Sequence, residues 1–331
     1  MTTFRAFRID QTDHGIESGF TQLTLDDLTP GEVQIRVCYS DINYKDALAA
    51  TGKGKILRTY PLNGGIDLAG IVEHSVDDRF KPGDKVLVVG CGLSENLDGG
   101  YSEISRVPSC CVVPLPENVS LFESMAIGTA GFTAALAVMR MEQLGQTPDM
   151  GKIVVTGATG GVGSIAIDLL SGRGYEVVAF TGKTDQQTYL TQLGASEFID
   201  RNSVEMGGRP LERATWGGAV DNVGGDVLSW LIRTTRPFGN VASIGLAGGY
   251  KLEATVMPFI LRGVSLIGIN SIEMPVSMRE EAWRRMGKDL KPRHLDKIVS
   301  QTIAFDDLPE AFDSFVEGRI TGRTVVRIGQ E

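Results

Sequence analysis

The chain falls into three stretches that differ in the spacing of their apolar residues. Residues 1–122 are interrupted by Gly and Pro and contain short alternating runs such as Val33–Val37 and Lys85–Val89. Alternation with a period of two, bounded by turn residues, is typical of strands with one buried face. We therefore expect a β-rich domain of several short strands, with a barrel-like form.

From Glu123 onward, buried strands alternate with amphipathic helices, which indicates an α/β fold with a parallel sheet and crossover helices. A terminal helix is expected at Met278–Leu290, and the C-terminal residues return to β character at Arg323–Ile328. The chain is therefore expected to return and complete the first domain. The expected strands are Ile153–Thr156, Glu176–Thr181, Glu197–Asp200, Gly218–Val223, Asn240–Gly245 and Val264–Asn270.

The segment Lys152–Leu170 carries the strongest chemical signal. Gly157, Gly160 and Gly163 follow a predicted strand at three-residue spacing, and an amphipathic helical pattern comes next. Such a turn lets the backbone approach a pyrophosphate, whose charge is met by the N-terminus of the helix. Ala158 stands where a strict G-x-G-x-x-G would have its first Gly. The context favours a dinucleotide site over an ordinary tight turn.

The end of the second strand of this domain indicates which dinucleotide would bind. An NAD site usually has an acidic residue there to bond the ribose 2′-hydroxyl. This chain has Thr181-Gly182-Lys183 instead, with no carboxylate before Asp185. A hydroxyl and an ammonium suit the 2′-phosphate of NADPH. Lys183 could also be an ordinary surface lysine, and Arg201 either reaches the same edge or is an exposed loop residue.

Composition and charge narrow the function. The 331 residues are 42% hydrophobic and 22% charged, which is typical of a globular protein with two domains. A net charge of −9 argues against nucleic acid or an anionic membrane as the partner. Residues 1–20 lack the apolar stretch of a signal peptide, and no apolar run reaches the length of a bilayer span. We therefore expect a cytoplasmic protein.

The cysteines and histidines do not predict a metal site. Cys38, Cys91, Cys110 and Cys111 form no C-x-x-C pair, and the three histidines lie far apart in the sequence. We expect no bound metal. Four free thiols would suit a reducing cytosol, and this is the expected state of the cysteines.

Several motifs together resemble a known family. They are INYKDAL (42–48), TGKGKILR (51–58), GTAGFTAAL (128–136), TGATGGVG (156–163), MPFILRGVSLIG (257–268) and GRTVV (322–326). The chain resembles the zinc-free medium-chain dehydrogenase/reductases, in the quinone oxidoreductase-like branch of the NADPH-dependent acrylyl-CoA reductase type. The resemblance implies a GroES-like catalytic domain made of residues 1–122 and 294–331. It also implies a Rossmann NADPH-binding domain, with a doubly wound parallel sheet, at residues 123–293, and usually a homodimer.

The same resemblance implies a set of site residues. Where zinc-dependent relatives carry Gly-His-Glu, this chain has Gly65-Ile66-Asp67, which agrees with the absence of zinc. A further family contact, usually an Asn side chain, aligns with Gly318. With the glycines of the turn, the implied cofactor contacts are Tyr44, Gly157, Thr159, Gly160, Gly161, Val162, Gly163, Thr181, Gly182, Lys183, Arg201, Leu246, Ile260 and Ser271.

Without zinc or an evident nucleophilic triad, the cofactor is expected to carry the reaction as a hydride donor. The resemblance implies that NADPH delivers this hydride to the β-carbon of an α,β-unsaturated acyl-CoA. Tyr44 is predicted to place the nicotinamide and the substrate, with Asn43 as a second polar group; Tyr44 could also be a packing residue. Asp46 and Asp67 are expected to make structural hydrogen bonds, and Lys45 is expected to be an ion-pair or a surface residue. The alternatives are a quinone or enone reductase and a non-catalytic NADPH-binding protein.

The segment Pro258–Asn270 suits the edge of the Rossmann sheet, because it ends in β-branched residues. An unpaired apolar edge strand is an aggregation hazard that pairing across a two-fold axis removes. We therefore expect a homodimer, the alternative being an ordinary covered strand.

Overall fold

The computed structural model describes residues 3–331, so the first two residues of the expected N-terminal domain lie outside it. The strands are β1 Phe4–Thr12, β2 Gly15–Leu23, β3 Val33–Asp41, β4 Leu62–Asn63, β5 Asp67–Ser75, β6 Lys85–Val89, β7 Ile104–Val107, β8 Val113–Pro114, β9 Ile153–Thr156, β10 Val177–Thr181, β11 Ala195–Asp200, β12 Trp216–Asp221, β13 Thr235–Ser243, β14 Ser265–Gly268, β15 Val299–Ala304 and β16 Arg323–Arg327. The helices are α1 Tyr44–Ala50, α2 Leu121–Gln143, α3 Gly161–Gly172, α4 Gln187–Gln192, α5 Gly225–Thr234, α6 Met257–Arg262, α7 Val276–Met286, α8 Leu295–Ile298 and α9 Leu308–Val316.

The chain divides into two compact units. Unit 1 comprises the described residues up to Thr129 together with 271–289 and 299–331, and unit 2 comprises 130–270 and 290–298. This division differs from the expected boundaries at 122/123 and 293/294. The segments that contain Thr129, Arg279 and His294 each bond to residues of the unit that was not expected to include them. Thr129 donates its N–H to Asp67 (2.7 Å), and Arg279 on α7 donates to the carbonyl oxygen of Val89 (2.7 Å), both within unit 1. His294 bonds to Asp168 (2.8 Å) within unit 2.

Unit 1 is the β-rich domain that the alternating pattern predicts. Its larger sheet has the order β15-β16-β3-β5-β6-β8, with β7 also paired to β3, and its smaller sheet has the order β2-β1-β4. Val33, Ile35 and Val37 alternate inward along β3 and are fully buried. Near the C-terminus, β16 pairs antiparallel with β3, with Val325 opposite Asp41. The C-terminal strand thus belongs to the same sheet as β3.

Unit 2 contains one parallel sheet with the order β11-β10-β9-β12-β13-β14. Strands β9, β10 and β12 are buried along their whole length, as expected for a parallel sheet covered on both faces. The strand order reverses between β9 and β12, which is where open α/β sheets bind ligands. The α/β prediction with a Rossmann sheet is confirmed.

Helix α2 is interrupted at Gly128, whose φ of 51° and ψ of −162° are not helical. By length and apolar composition this helix could cross a membrane, although the sequence pattern predicts no spanning segment. However, 83% of its most apolar window is buried inside the protein, as in the core helix of a globular domain. A Cβ at position 128 would overlap the carboxylate of Asp41 and the guanidinium of Arg323, so only glycine fits there.

Candidate active site

Tyr44 is presented at the first turn of α1, in unit 1. Strand β3 ends at Asp41, and Asn43 is the N-cap residue of the helix, with an extended backbone. The helix is anchored by Ala47, Ala49 and Ala50, which are buried. In contrast, 53% of Tyr44 is exposed. Its hydroxyl-bearing ring is thus available to a ligand, while the backbone beneath it is held by the core.

A buried polar network surrounds the Asn43 side chain. Its Nδ2 donates to Asp41 Oδ1 (2.7 Å) and to Asp67 Oδ2 (3.0 Å), and its Oδ1 accepts from Arg323 Nη1 (3.0 Å). Arg323 also pairs with Asp41 (2.6 Å), and both side chains are almost fully buried. Since both amide hydrogens of Asn43 are used inside the protein, its geometry is that of a residue that holds the start of α1.

Further bonds to Asp67 and one further carboxylate, Asp46, complete this network. Asp67 accepts hydrogen bonds from the N–H of Gly90 (3.1 Å) and from the hydroxyl (2.5 Å) and N–H (2.7 Å) of Thr129. Asp46 accepts from the N–H groups of Asn43 (2.8 Å) and Ile66 (2.9 Å). The expectation that Asp46 and Asp67 make structural hydrogen bonds is confirmed. Burial raises the pKa of Asp46 to about 7, although its two backbone hydrogen bonds oppose the shift.

The glycine turn lies between β9 and α3 in unit 2. Gly157 has a φ of +57°, and Gly160 is the N-cap residue of α3, with Gly161 and Val162 in its first turn. A Cβ at Gly163 would overlap the carbonyl oxygen of Gly157, so this glycine lets the helix approach the turn closely. The helix is twelve residues long and its N-terminus follows the turn directly. This cradle fits a dinucleotide pyrophosphate.

The turn is tied to β12 by residues that the sequence pattern did not single out. Thr156 donates its hydroxyl to Asp221 (2.6 Å), and Asn222 donates Nδ2 to the carbonyl oxygen of Thr156 (2.7 Å). Asp221 in turn accepts the N–H of Gly224 (2.8 Å). The available signal was the position of Asp221 and Asn222 at the carboxyl end of an otherwise apolar strand. These bonds fix the glycine turn relative to the strand next to it.

The predicted phosphate-reading residues meet at the carboxyl end of β10. The hydroxyl of Thr181 accepts the N–H of Lys183 (3.0 Å), and its carbonyl oxygen accepts the N–H of Arg201 (2.9 Å). A Cβ at Gly182 would lie 3.2 Å from Arg201 Nη2, so the guanidinium covers this glycine. Burial lowers the pKa of Lys183. Thr181, Lys183 and Arg201 are therefore neighbours at the carboxyl ends of β10 and β11.

The other predicted cofactor residues are distributed over both units. In unit 2, Thr159 is buried in the glycine turn, Leu246 is exposed beside Gly224, and Ile260 is exposed on α6. In unit 1, Ser271 is the first residue after the chain returns from unit 2, and its carbonyl oxygen lies beside Gly90. Gly318, aligned with a further family contact, follows α9 with a φ of 68°. The structure thus places the glycine turn and the carboxyl end of β10 together in unit 2. Tyr44 and Ser271 belong to unit 1.

The expectation of four free thiols is wrong. Cys91 and Cys111 form a disulfide, with their Cα atoms 5.8 Å apart. The turn after β6 places Cys91 next to the short 3₁₀-helix Ser109–Cys111, a proximity that sequence spacing does not reveal. Cys38 and Cys110 are free, the first buried and the second exposed. Within residues 3–331, no three His, Cys, Asp or Glu side chains gather as a metal-ligand set.

Comparison with known proteins identifies the family. The family described as "Alcohol dehydrogenase GroES-like domain" matches residues 29–149, and "Zinc-binding dehydrogenase" matches residues 161–288. "Putative quinone oxidoreductase YhfP" of Bacillus subtilis is 47% identical over 99% of both chains. Its crystal structure, with NAD bound, superposes with a TM-score of 0.95 at 46% identity, covering 99% of this chain and 100% of that one.

Two other proteins are similar over the same length. Acrylyl-CoA reductase AcuI of Ruegeria pomeroyi is 45% identical over 98% of this chain and 99% of its own. The YhdH oxidoreductase of Salmonella enterica, solved in complex with NADP, has a TM-score of 0.94 at 44% identity, covering 98% and 99% of the two chains. The fold and the site define an oxidoreductase built from a GroES-like and a Rossmann domain. The chain belongs to the medium-chain dehydrogenase/reductase family, in its quinone oxidoreductase-like branch.

Proposed function

We propose that this protein is an NADPH-dependent reductase of the C=C bond conjugated to the thioester of an acyl-CoA. The specific reaction is acrylyl-CoA, NADPH and a proton going to propionyl-CoA and NADP⁺. The observation that carries the substrate class is the 45% identity to acrylyl-CoA reductase AcuI, which extends over 98% of this chain. The similarity to the YhdH oxidoreductase in complex with NADP supports the choice of cofactor.

The cofactor residues are assigned as the sequence predicts. The turn from Gly157 to Gly163 would hold the pyrophosphate at the N-terminus of α3. Thr181, Lys183 and Arg201 would hold the 2′-phosphate, because these neighbouring residues carry a hydroxyl and two cations, and the Arg201 guanidinium lies over Gly182. When bound, the dinucleotide supplies a hydride. The chain is proposed to act without a metal, so orientation and polarisation are left to its side chains.

Tyr44 is the residue proposed to act on the reacting pair. During reduction of an enoyl thioester, negative charge develops on the carbonyl oxygen, which needs a hydrogen-bond donor. The exposed hydroxyl of Tyr44 can donate there or fix the orientation of the nicotinamide ring. Asn43 is proposed as a positioning residue, since its amide bonds Asp41, Asp67 and Arg323 at the start of α1.

We also propose that the protein is a cytoplasmic homodimer. Strand β14 ends the order of the parallel sheet, and within the described residues no strand pairs with its outer side. On the preceding helix α6, Ile260 is 71% exposed and Leu261 is also exposed. Pairing of β14 with its copy across a two-fold axis would cover this apolar edge.

The decisive experiment follows NADPH oxidation with acrylyl-CoA, crotonyl-CoA and a small benzoquinone as acceptors. We expect acrylyl-CoA to be reduced fastest, crotonyl-CoA more slowly, and the quinone least, with propionyl-CoA identified as product by mass spectrometry. The second candidate function is quinone or enone reduction, favoured by the name of the relative YhfP. Rapid quinone reduction without turnover of acrylyl-CoA would select it, and NADPH binding without any turnover would indicate a binding protein.

A further inference from the structure

The segment Thr51–Arg58, which follows α1 in unit 1, is not used by the chemistry proposed above. Leu57 is buried, and Ile56 packs against the same core, so the backbone of the segment is anchored. Gly52 has a φ of 67° and lies against Ile16. The charged residues of the segment point the other way, and Lys55 and Arg58 are exposed. The anchored loop therefore presents cations to solvent.

A buried carboxylate fixes part of this charge close to Tyr44. Glu95 is only 9% exposed in its side chain, and it pairs with the ammonium of Lys45 and with Arg58 Nη2 (3.8 Å). The carbonyl oxygen of Glu95 also accepts the N–H of Arg58 (2.8 Å). Lys45 directly follows Tyr44 on α1. Arg58 is thereby tied, through Glu95, to the helix turn that carries Tyr44.

Lys45, Lys53, Lys55 and Arg58 form a cluster of cations. These cations outnumber the carboxylates that pair with them. Lys45 and Arg58 share Glu95, and Lys53 pairs with Asp313 (3.9 Å). Lys55 forms no ion pair with any residue in the described range 3–331. A local excess of positive charge is unexpected in a chain whose net charge is −9, and such a surface attracts anionic ligands.

We propose that Lys55 and Arg58 bind the phosphate groups of the coenzyme A part of the substrate. This inference rests on the proposed function, because it assigns a place in unit 1 to the anionic end of an acyl-CoA. A guanidinium matches phosphate geometry with paired donors, and a lysine adds a point charge that can follow a flexible ligand. The phosphates of NADPH could also bind such cations, but the glycine turn and the carboxyl end of β10 in unit 2 are already proposed to bind them.

The test measures binding of coenzyme A and of pantetheine, which lacks every phosphate, by calorimetry in the presence of saturating NADP⁺. Wild type should bind coenzyme A at least ~10-fold more tightly than pantetheine, because one charge-assisted bond is typically worth such a factor. Lys55→Ala and Arg58→Ala should each remove most of this preference. Lys85→Ala is the matched control, since Lys85 is an exposed lysine of unit 1 paired with Glu331, and it should keep the preference.

Equal affinity of wild type for coenzyme A and pantetheine would overturn the proposal, and so would an unchanged preference in both variants. A loss of NADPH affinity in Lys55→Ala or Arg58→Ala, with coenzyme A binding intact, would overturn the proposal and show that these cations bind the cofactor. Raising the salt concentration should weaken coenzyme A binding to wild type, which tests the charge without any variant. Turnover of acrylyl-CoA is measured separately, so a failure of the proposed reaction is distinguished from a failure of the phosphate site.

Discussion

At the scale of single residues, the hydroxyl of Tyr44 can be tested apart from its ring. Tyr44→Phe keeps the aromatic ring and removes the donor. If the hydroxyl stabilises the developing oxyanion, kcat for acrylyl-CoA should fall by ~10²–10³-fold, the usual effect of a lost oxyanion donor. The melting temperature should hardly change, because Tyr44 is largely exposed. Unchanged turnover would remove Tyr44 from the mechanism and leave it as a packing residue.

We expect Lys183 to favour NADPH over NADH. Lys183→Ala should weaken binding of NADPH by about ten- to a hundredfold, since a charge-assisted hydrogen bond is worth ~1.5–3 kcal/mol. Binding of NADH, which lacks the 2′-phosphate, should change much less. Fluorescence titration of both cofactors measures this difference, and Lys183→Arg serves as the charge-preserving control. An equal loss for both cofactors would show that Lys183 does not contact the phosphate.

At the scale of elements, Asp46 links the anchoring of α1 to pH. Its pKa of about 7 in the folded protein lies above the ordinary value of 3.8, because the carboxylate is buried. Between those values the folded protein holds a proton that the unfolded chain releases. The contribution of Asp46 to the free energy of unfolding therefore falls as the pH rises from about 4 to about 7.

Asp46→Asn removes this titration. We expect the difference in unfolding free energy between wild type and Asp46→Asn to move against wild type across that window, and to be flat above it. Urea denaturation at a series of pH values measures the difference. Asp10→Asn on β1, where the carboxylate is exposed, is the control for the loss of one surface charge. A flat difference for Asp46→Asn would mean that the carboxyl titrates as in the unfolded chain.

The elements themselves could be predicted because their signals are local. The glycine turn, the strand before it and the helix after it lie within twenty residues, and each has its own periodicity. The network around Asn43 could not be predicted in this way. Its Arg323 partner lies 280 residues further along the chain, and hydrogen-bonding partners at such separations leave no periodic trace. The placement of 271–289 in unit 1 was missed for the same reason. Cys91 and Cys111 are only 20 residues apart, but they do not form a recognisable cysteine motif, so the disulfide was missed as well.

At the scale of the whole molecule, the exposed edge at β14 predicts a dimer. Sedimentation velocity at micromolar concentration should give the mass of two chains. Leu261→Lys places a charge on the exposed apolar face of α6 and should shift the equilibrium towards monomer without unfolding unit 2. A wild-type protein that sediments as a monomer across this range would contradict the prediction.

The expected absence of zinc can also be measured on the whole protein. Elemental analysis should find no stoichiometric zinc, and activity should survive dialysis against a chelator. The chain has Gly65-Ile66-Asp67 at the place of the zinc relatives' motif, and Asp67 is engaged by Gly90, Thr129 and Asn43. One zinc per chain, with activity lost on chelation, would refute this.

The break in α2 at Gly128 has a consequence for how the protein can evolve. A side chain at this position would occupy the space of the buried Asp41–Arg323 pair, while the left-handed backbone disfavours every residue but glycine. None of these three positions can therefore be substituted alone. Replacing Asp41 would leave the buried guanidinium of Arg323 without its ion-pair partner, and replacing Gly128 would displace both charged side chains. Across descendants of this sequence, the three should be inherited as a block, and a lineage that abandons one should show replacements at the other two.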